Sequence, residues 1–353
     1  MGLSEYEQQQ LVKVNEHKER VLGRSPRHFV PATVKEKGGE WLGKMSKVPG
    51  VDRAKEAGAG VLGAAAAGAG KFMMRTGQLT TSHKRVIRAY AKKGHTVEHL
   101  DDIGRLDLRA VDGVASFARL HYAYSLGAAA EGAAAGFAVT GGQILAGGGA
   151  VAGAGAAAAP GLGLIAGAMG VDAASLLTAC SRVVAHDALY YGYDPRDPAE
   201  EVFMMQIIGL GLATTASAKV VAYQQLAILT RSLATNMVWR QLNQQTLVKV
   251  AQKFATQFGQ NLTKKKLGQF VPIAGIGIGA AMNLKMVYDI ADAAYWAYRE
   301  RFLYEKSGDI APIIIDVDVI DEDATEDAEQ PIDVIDILKS EGINVEGDDE
   351  RDG

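Results

Sequence analysis

The sequence predicts an all-α protein, built as a single large helical domain with a central Gly/Ala-rich helical hairpin, an N-terminal helical arm and an acidic C-terminal tail. Three observations predict this organisation. Apolar residues recur at helical spacing, as Leu176, Leu177 and Val183 do. Forty consecutive uncharged residues, mostly Ala and Gly, follow Glu131. The charge is divided, because the 353-residue chain has a net charge of -4 while the part from Asp309 onward holds 17 Asp and Glu against 2 Lys and Arg.

The first 50 residues are expected to form the arm. A polar, helix-compatible segment from Leu3 to Leu22 ends at Gly23, and the Gly and Pro residues that follow interrupt regular structure every few positions. We expect one helix and a loop that packs on the body. The chain starts without an apolar segment preceded by positive charge, which does not fit a secretory signal. Cys180 is the one cysteine, which excludes a disulfide framework, so we expect a cytoplasmic protein.

Two basic clusters lie in the body of the chain, residues 51–308. The first falls on a helix expected from about Thr81 to Lys93, and the second precedes Pro272. Such clusters are either solvated helix faces or contacts with anionic lipid. The candidate lipid-binding residues are Lys84, Arg85, Arg88, Lys92, Lys93, Lys264, Lys265 and Lys266. We do not expect nucleic acid binding, because the clusters lack interleaved aromatic residues.

One pentad has the residue types of a hydrolase site. His95, Glu98 and His99 match the pattern H-x-x-E-H, in which two histidines bind zinc and the glutamate acts as a base. The pattern requires both histidines on one helical face, whereas His95 follows Gly94 and precedes the expected start of the helix. We therefore expect no metal and no cofactor, and a metal-dependent hydrolase using these three residues is the alternative function.

A second candidate catalytic pair is formed by His186 and Asp187, which are adjacent in sequence. Cys180 lies six residues before the histidine, an offset that places the two side chains far apart around a helix. The simpler interpretation is a buried thiol and a histidine that is hydrogen-bonded to the backbone or to a tyrosine. The helix that carries these residues is expected to stop at Gly192, and Asp197 is expected to cap the next helix, which starts at Pro198.

Residues 127–171 are predicted to form the helical hairpin. A surface helix needs a polar face, so this run must be buried in a core, in a tight helix pair or in a bilayer. It has about ten large apolar side chains, and Ala and Gly supply little drive for insertion. We expect two passes, joined near residues 147–149, that are sheltered in the fold and enter a membrane conditionally. The glycines expected at helix contacts, which also offer a route to self-association, are Gly132, Gly136, Gly149, Gly153, Gly163, Gly167, Gly275 and Gly279.

The tail, residues 309–353, is expected to be disordered or to dock as a peptide. Its acidity is too dense for an independent core, although the segment EQPIDVIDILKSEGI allows one short amphipathic helix. The tail carries a charge of -15 and the preceding body +11. The tail is therefore a candidate cover for the basic surface of the body.

Three blocks of the chain, SRVVAHDALYYGYDPRDPAEEVFMMQIIGL, LDDIGRLDLRAVD and the segment from Leu262 to Asn283, resemble the EcsC family of bacterial proteins, named for a gene beside an ABC transporter operon. The resemblance covers roughly residues 50 to 305. It implies a mostly helical protein associated with membrane processes, with no settled activity or cofactor. The matching positions are Arg182, Tyr191, Gly192, Asp194, Glu201, Lys265, Lys266, Pro272, Gly275, Gly279, Ala280 and Asn283.

The expected function is that of a non-enzymatic, membrane-associated helical protein. It would contact anionic lipid through its basic clusters and insert the Gly-rich hairpin, in an envelope or transporter-related process. The expected partner is an anionic membrane surface, and no protein partner is indicated. The expected location is the cytoplasm, with the chain peripheral to or conditionally inserted into the inner membrane.

Overall fold

The structure is a computed structural model of the chain and describes residues 2–23, 82–131 together with Ala133, 155–235, 242–267, 275–308 and 331–345. For residues 155–171, 234–235, 263–267 and 275–279 it describes the course of the helical backbone alone. The structural statements that follow concern these parts of the chain.

The described residues form α-helices and one short 3-10 helix and contain no strand, which confirms the all-α prediction. The 3-10 helix spans Leu100–Arg105. The α-helices are α1 (Glu5–Leu22), α2 (His83–Lys92), α3 (Leu108–Val114), α4 (117–131), α5 (Gly155–Tyr190), α6 (Pro198–Leu212), α7 (Ala216–Thr235), α8 (Gln244–Leu267), α9 (Gly275–Ser307) and α10 (Val334–Ser340).

Helix α6 lies at the centre of the core. Nearly all its side chains are buried, and it packs against α9, α7, α5 and α8. A helix that is apolar all round is stable only when other elements cover its whole circumference. Asp197 caps α6 by accepting a hydrogen bond from the backbone nitrogen of Ala199 at 2.9 Å, as the sequence predicts. Gly211 permits the close approach to α9, since a Cβ there would lie 2.5 Å from the Cα of Ile290.

Helices α5 and α9 run side by side in the same direction. From the first third of α9, the side-chain amide of Asn283 donates a hydrogen bond to Asp172, at the middle of α5, at 2.8 Å. At the end of α5, the ring of Tyr191 stacks on that of Tyr298, with centroids 6.2 Å apart. Helix α4 runs antiparallel to α5, because Phe117, at its start, stacks on Tyr191 at 5.3 Å. The last residues of α4 therefore lie towards the end of the molecule at which α5 and α9 begin.

A buried arginine joins four parts of the fold. Arg299, on α9, is 1% exposed. Its guanidinium group donates two hydrogen bonds to the carboxylate of Asp112, on α3, at 2.7 and 2.8 Å. It also donates to Gln10 on α1 at 3.0 Å and to the hydroxyl of Tyr191 at 3.4 Å. The hydroxyl of Tyr6 completes the cluster by donating to Asp112 at 2.6 Å.

The N-terminal helix packs on the body through polar as well as apolar contacts. Glu7 is fully buried and accepts a hydrogen bond from the backbone nitrogen of Leu108 at 3.0 Å. The ammonium group of Lys306 contacts the same carboxylate. Burial raises the pKa of Glu7, but these donors outweigh it and hold the pKa below its usual value. Lys18 of α1 forms a buried ion pair with Glu300 of α9.

The predicted hairpin is described only in part. Residues 127–131 belong to α4, and residues 155–171 belong to α5, which continues without interruption to Tyr190. Gly163 and Gly167 lie in the α5 backbone, and Gly275 and Gly279 lie in the first turns of α9. The other predicted contact glycines, Gly132, Gly136, Gly149 and Gly153, lie outside the described residues. The packing of all eight stays a prediction.

Part of the acidic tail is folded against the core, as the docked peptide with one short helix that the sequence allows as the alternative to disorder. Helix α10 is capped by Asp333 and buries Val334, Ile335, Ile337 and Leu338. It packs against α8 and α6. The physical reason is that residues 331–345 alternate acidic side chains with large aliphatic ones, which supply an apolar face that the net charge conceals.

Replacement of a buried tail residue should therefore destabilise the whole domain. Leu338 is 0% exposed, and Leu338→Ala should reduce the free energy of unfolding by about 2–5 kcal/mol. Chemical denaturation of the full chain, followed by circular dichroism, measures this loss. Asp336→Ala, at an exposed position of the same helix, is the matched control and should change stability little. Equal unfolding midpoints for L338A and the wild type would contradict the docked position of α10.

Candidate functional site

All five predicted lipid-binding residues of α2 are exposed, while Val86 and Tyr90 form the buried side of the helix. The hydroxyl of Tyr90 donates a hydrogen bond to the backbone oxygen of Tyr190 at 2.6 Å, which attaches α2 to the end of α5. The other end of α2 is held by His83, whose Nε2 lies 3.1 Å from Asp194. The helix is thus fixed to the body with its cations outward.

This basic face has no carboxylate partner in the described part of the chain. No described acidic side chain forms an ion pair with any member of the set Lys84, Arg85, Arg88, Lys92 and Lys93. Other cations of the protein are paired: Lys18 meets Glu300, and Arg301 meets Glu200. The positive charge of α2 is therefore uncompensated within the described residues and available to an external anion.

Beneath α2 lies a smaller cluster on α5 and α4. Nδ1 of His186 and the hydroxyl of Tyr124 form a hydrogen bond of 2.7 Å. Burial lowers the pKa of His186, and the charge of Arg85 lowers it further. Burial also raises the pKa of Tyr124 to about 12. Arg182, one turn before His186, has a buried Nε with no hydrogen-bond partner among the described groups.

Helix α4 exposes large apolar residues. Tyr122 is 62% exposed and Leu126 is 45% exposed, and the exposed Arg119 lies one turn before Tyr122. Tyr124, between them in sequence, contacts the cluster beneath α2. Leu284 and Tyr288 form a second exposed apolar pair on α9. Helices α4 and α9 thus each expose a pair of large apolar side chains to solvent.

The structure does not place His95, Glu98 and His99 on one helical face. They lie between α2 and the 3-10 helix, in a segment without helical hydrogen bonding that follows the positive φ of Gly94. Asp102 accepts hydrogen bonds from the backbone nitrogens of Glu98 and His99 at 3.0 and 2.9 Å. Within the described residues no three His, Cys, Asp or Glu side chains lie close enough to hold a metal ion.

His186 and Asp187 do not act on one another either, because they contact different residues of α4. The carboxylate of Asp187 lies 2.9 Å from Nε2 of His121, and both groups are buried. Burial raises the pKa of Asp187 to about 6, although His121 opposes that shift. Cys180 is fully buried, which raises the pKa of its thiol well above the usual range. This arrangement links α4 to α5 and leaves no exposed nucleophile at these positions.

Sequence reasoning missed His121 and Tyr124, the two residues of α4 that contact α5. The available signal was their spacing, since His121 and Tyr124 lie three residues apart and share a helical face. Their partners are 66 and 62 residues away in sequence. Such pairings follow from the antiparallel packing of the two helices and not from any local pattern.

Most of the residues that match the EcsC family pattern contact other parts of the fold. Tyr191 is buried among aromatic rings. Gly192 has a φ of 93°, and a Cβ there would lie 2.8 Å from the backbone oxygen of Leu100. Asp194 binds the side chain of Arg196 at 2.8 Å as well as His83. Asn283 bonds Asp172, as described above.

Of the remaining predicted residues, Lys264, Lys265 and Lys266 lie in the last turn of α8, where the backbone alone is described, and Pro272 lies outside the described residues.

Glu201, another of these positions, differs sharply from its neighbour Glu200. Glu200 accepts hydrogen bonds from Tyr298 at 2.6 Å and from Arg301 at 2.7 Å. Glu201 is also buried, yet its Oε1 has no hydrogen-bond partner among the described groups. Burial alone raises the pKa of Glu201 to about 7.

None of the described helices combines the length and the apolar character needed to cross a membrane. This finding covers α5 and α9 only where their residues are described.

The residues of the candidate site fall within the part of the chain that matches a known protein family. The model of the EcsC protein family matches residues 56–303, a range that includes α2, α4 and α5. A curated relative, described as "Uncharacterized protein YdbA" of Bacillus subtilis (strain 168), is 27% identical over 239 residues, which are 67% of this chain and 75% of the relative. No solved structure gives a significant match.

A side chain at Gly192 should destabilise the domain by both strain and collision. Gly192→Ala should cost at least about 2 kcal/mol of stability, because the left-handed backbone disfavours any Cβ and the 3-10 helix leaves no room for one. Gly94→Ala is the matched control. Gly94 also has a positive φ, of 85°, but nothing lies within 4 Å of the added carbon. A thermal unfolding midpoint as high for G192A as for G94A would contradict the close contact with Leu100.

The two adjacent glutamates should respond oppositely to loss of charge. The folded pKa of Glu201, about 7, lies above the ordinary value of 4.5. The unfolded state therefore ionises first as the pH rises, and the wild type loses stability between about pH 4.5 and 7. Glu201→Gln should remove that loss and raise the stability at pH 8 by up to about 3 kcal/mol.

The control for this change is Glu200→Gln. Burial raises the pKa of Glu200 as well, but Arg301 and Tyr298 oppose that rise, and both would lose their charged acceptor, so E200Q should lower stability by about 1–3 kcal/mol. Urea denaturation of both variants between pH 5 and about 8 makes the comparison. A destabilised E201Q at pH 8 would show that Glu201 has a partner in the folded protein.

Proposed function

The chain belongs to the EcsC protein family, and on that premise we propose that it is a non-enzymatic helical protein that binds anionic membrane surfaces through the exposed face of α2. The observation that carries the proposal is the set of five exposed cations, four on α2 and Lys93 directly after it, none of them paired with a described carboxylate. A membrane surface rich in anionic lipid supplies the missing negative charge. Each Lys or Arg near such a surface contributes about 1 kcal/mol to binding.

The apolar residues of α4 support the same proposal. Tyr122 and Leu126 lie on α4, the helix whose Tyr124 contacts His186, and expose their side chains. An aromatic ring with a polar end suits the headgroup level of a bilayer, and cations beside it reach the phosphates. Arg119 on the same helix extends the positive charge towards these two residues. Electrostatic attraction and shallow apolar contact would then act together at one surface.

We extend the proposal to the Gly/Ala-rich run, which continues directly from the end of α4. Its insertion would occur at the side of the molecule where Tyr122 and Leu126 are exposed. Residues 134–154 lie outside the described part of the chain, so the insertion rests on their composition. An envelope or transporter-related process is the setting that the family resemblance suggests.

The folded part of the tail changes how a masking role should be tested. Glu341 pairs with Lys249 and Lys253 on α8, and α10 belongs to the core. Deletion of everything after Asp309 would expose that core. A masking role of the tail is instead assigned to the acidic residues between 309 and 330, which can be neutralised one at a time with α10 in place.

Vesicle binding tests the proposed function. Replacement of two cations, Lys84→Gln with Arg88→Gln, should weaken binding to phosphatidylcholine vesicles that contain phosphatidylglycerol by about 30-fold, from about 1 kcal/mol per charge. Cosedimentation over a range of lipid concentrations measures this affinity. The same change of net charge on α1, Lys13→Gln with Arg20→Gln at exposed positions, is the matched control and should have a much smaller effect. Wild-type protein that stays in solution with anionic vesicles at low salt would refute the proposal.

A further inference from the structure

Helix α4 has the reverse of the usual polarity of a surface helix. Its buried face includes the polar residues His121 and Ser125, whereas Tyr122 and Leu126 are exposed. No exposed residue of α4 between positions 120 and 130 is charged. A surface helix of a protein in water normally turns its polar residues outward. Polar residues that face inward and apolar residues that face outward are typical of helices whose outer side contacts lipid.

The first part of α9 has the same reversed polarity. Asn283 is fully buried and hydrogen-bonded to Asp172 of α5, whereas Leu284 and Tyr288 are exposed. These two residues and the pair on α4 are four of the five exposed large hydrophobic side chains in the described part of the chain. The fifth, Val12, lies on α1. The exposed apolar side chains are therefore concentrated on two helices.

Helices α4 and α9 are antiparallel neighbours. The rings of Phe117 and Tyr295 are in contact, with centroids 5.4 Å apart. Tyr288 and Leu284 precede Tyr295 by seven and 11 residues, which is close to two and three whole turns of helix. They therefore lie on the side of α9 that contacts α4 at Tyr295. That side is covered at the ring contact and is open to solvent two turns before it.

The two exposed pairs lie at matching levels along the helices. With a rise of about 1.5 Å per residue, Tyr122 and Tyr288 lie about 8 and 11 Å from the ring contact, in the same direction. Leu126 and Leu284 lie one turn further, at about 14 and 17 Å. The four side chains thus form two levels on neighbouring helices, with the leucines nearer to the end at which α9 begins.

The chain beyond the leucines is nearly free of charge on both helices. Residues 267–283, which lead to Leu284, have no charged side chain, and neither have residues 132–171, which follow α4. Glu131, at the end of α4, lies about 140° around the helix from Leu126 and therefore on another side. The uncharged chain thus continues from the end of the molecule towards which both leucines lie.

Charged side chains border the two tyrosines. The exposed Arg119 precedes Tyr122 by one turn. On α9, Asp289 follows Tyr288 and pairs with Lys285, whose long side chain is of the kind that reaches from an apolar surface to headgroup level. Both helices therefore have charged groups beside a tyrosine, then a leucine, and then uncharged chain. Headgroups, interfacial rings and acyl chains follow one another in this order in a bilayer.

We propose that Tyr122, Leu126, Leu284 and Tyr288 form a lipid-contact face, which enters the boundary between headgroups and acyl chains. The leucines contact the acyl chains, and the tyrosine rings lie at headgroup level. The inference rests on the proposed function and identifies the side chains that enter the bilayer. Helices at an interface are buried to a depth of about 5–10 Å, and one turn of about 5.4 Å separates the two levels of this face.

A bilayer fits this face better than a second copy of the chain does. The reversed polarity occurs on two helices from distant parts of the sequence, and at the same end both continue into uncharged chain. A contact between two proteins in water does not require that continuation. The positive charge of Arg119 also complements anionic headgroups.

Labelled cysteines in the full chain measure the depth of the face. The native Cys180 is fully buried, so an environment-sensitive fluorophore reacts selectively with Leu126→Cys or Leu284→Cys. Val12→Cys, at an exposed apolar position of α1, is the matched control. The vesicles contain phosphatidylcholine and phosphatidylglycerol, with bromine on the acyl chains as a contact quencher. L126C and L284C should shift to shorter wavelength on binding and lose about half of their emission to brominated lipid, whereas V12C should lose less than about a tenth.

Affinity provides a second readout. Leu126→Ser combined with Leu284→Ser removes two apolar contacts and should weaken vesicle binding by about 10- to 100-fold. Val12→Ser should stay within about twofold of the wild type, because it lies outside the lipid-contact face. All three positions are exposed, so the thermal unfolding midpoints should match that of the wild type.

The outcomes separate this inference from the proposed function. If the wild type binds anionic vesicles while L126C and L284C respond no more than V12C, the lipid-contact face is refuted and binding through α2 stands. If both labels respond and binding does not depend on Lys84 and Arg88, the face stands and the proposed role of α2 fails. Self-association without lipid that the double serine variant abolishes, with labels that do not respond to vesicles, would assign the face to contact between copies. A wild-type protein that binds no vesicle refutes both proposals.

Discussion

The fold depends most on the buried ion pair between Arg299 and Asp112. The pair joins α9 to α3, and Gln10 and Tyr191 extend it to α1 and to the end of α5. Loss of either charged partner would leave an uncompensated charge in the interior, which costs far more than a surface pair contributes. By fixing the end of α5, the cluster also fixes Tyr190, the residue to which α2 is hydrogen-bonded. The position of the basic face thus follows from a contact made inside the domain.

Cationic side chains have carboxylate partners inside the domain but not at the candidate site. In the core, Arg299, Arg301 and Lys18 each contact a carboxylate. On α2 the cations project into water, where a lone charge costs little. Arg182 falls between these two environments, since it is partly buried and yet lacks a carboxylate. The cations of the core are thus paired with carboxylates, whereas the exposed cations of α2 are not paired with any described carboxylate.

The sequence predicts the helices well and the contacts between them poorly. Asp197 and Pro198 mark the start of α6, and the polar segment ending at Leu22 marks α1, because caps and breakers act over a few residues. The cations of α2 are also visible as a run. The pairing of His121 with Asp187 and the burial of α10 depend on which helices become neighbours, and no local pattern encodes that. The H-x-x-E-H match shows the opposite error. The local pattern is present, but the helix that would bring both histidines to one metal ion is not formed at these residues.

The central position of α6 has a consequence for the order in which the domain is made. Glu200 of this helix meets Tyr298 of α9, 98 residues later, and Gly209 lies against Ile332, further along still. During synthesis, the apolar side chains of α6 that contact α9 and α10 in the folded protein therefore stay exposed while more than a hundred further residues are added. At translation speeds of about 5–20 residues per second, that exposure lasts several seconds or more. Part of the α6 surface therefore stays uncovered until α9 and α10, which follow it among the described helices, have been synthesised.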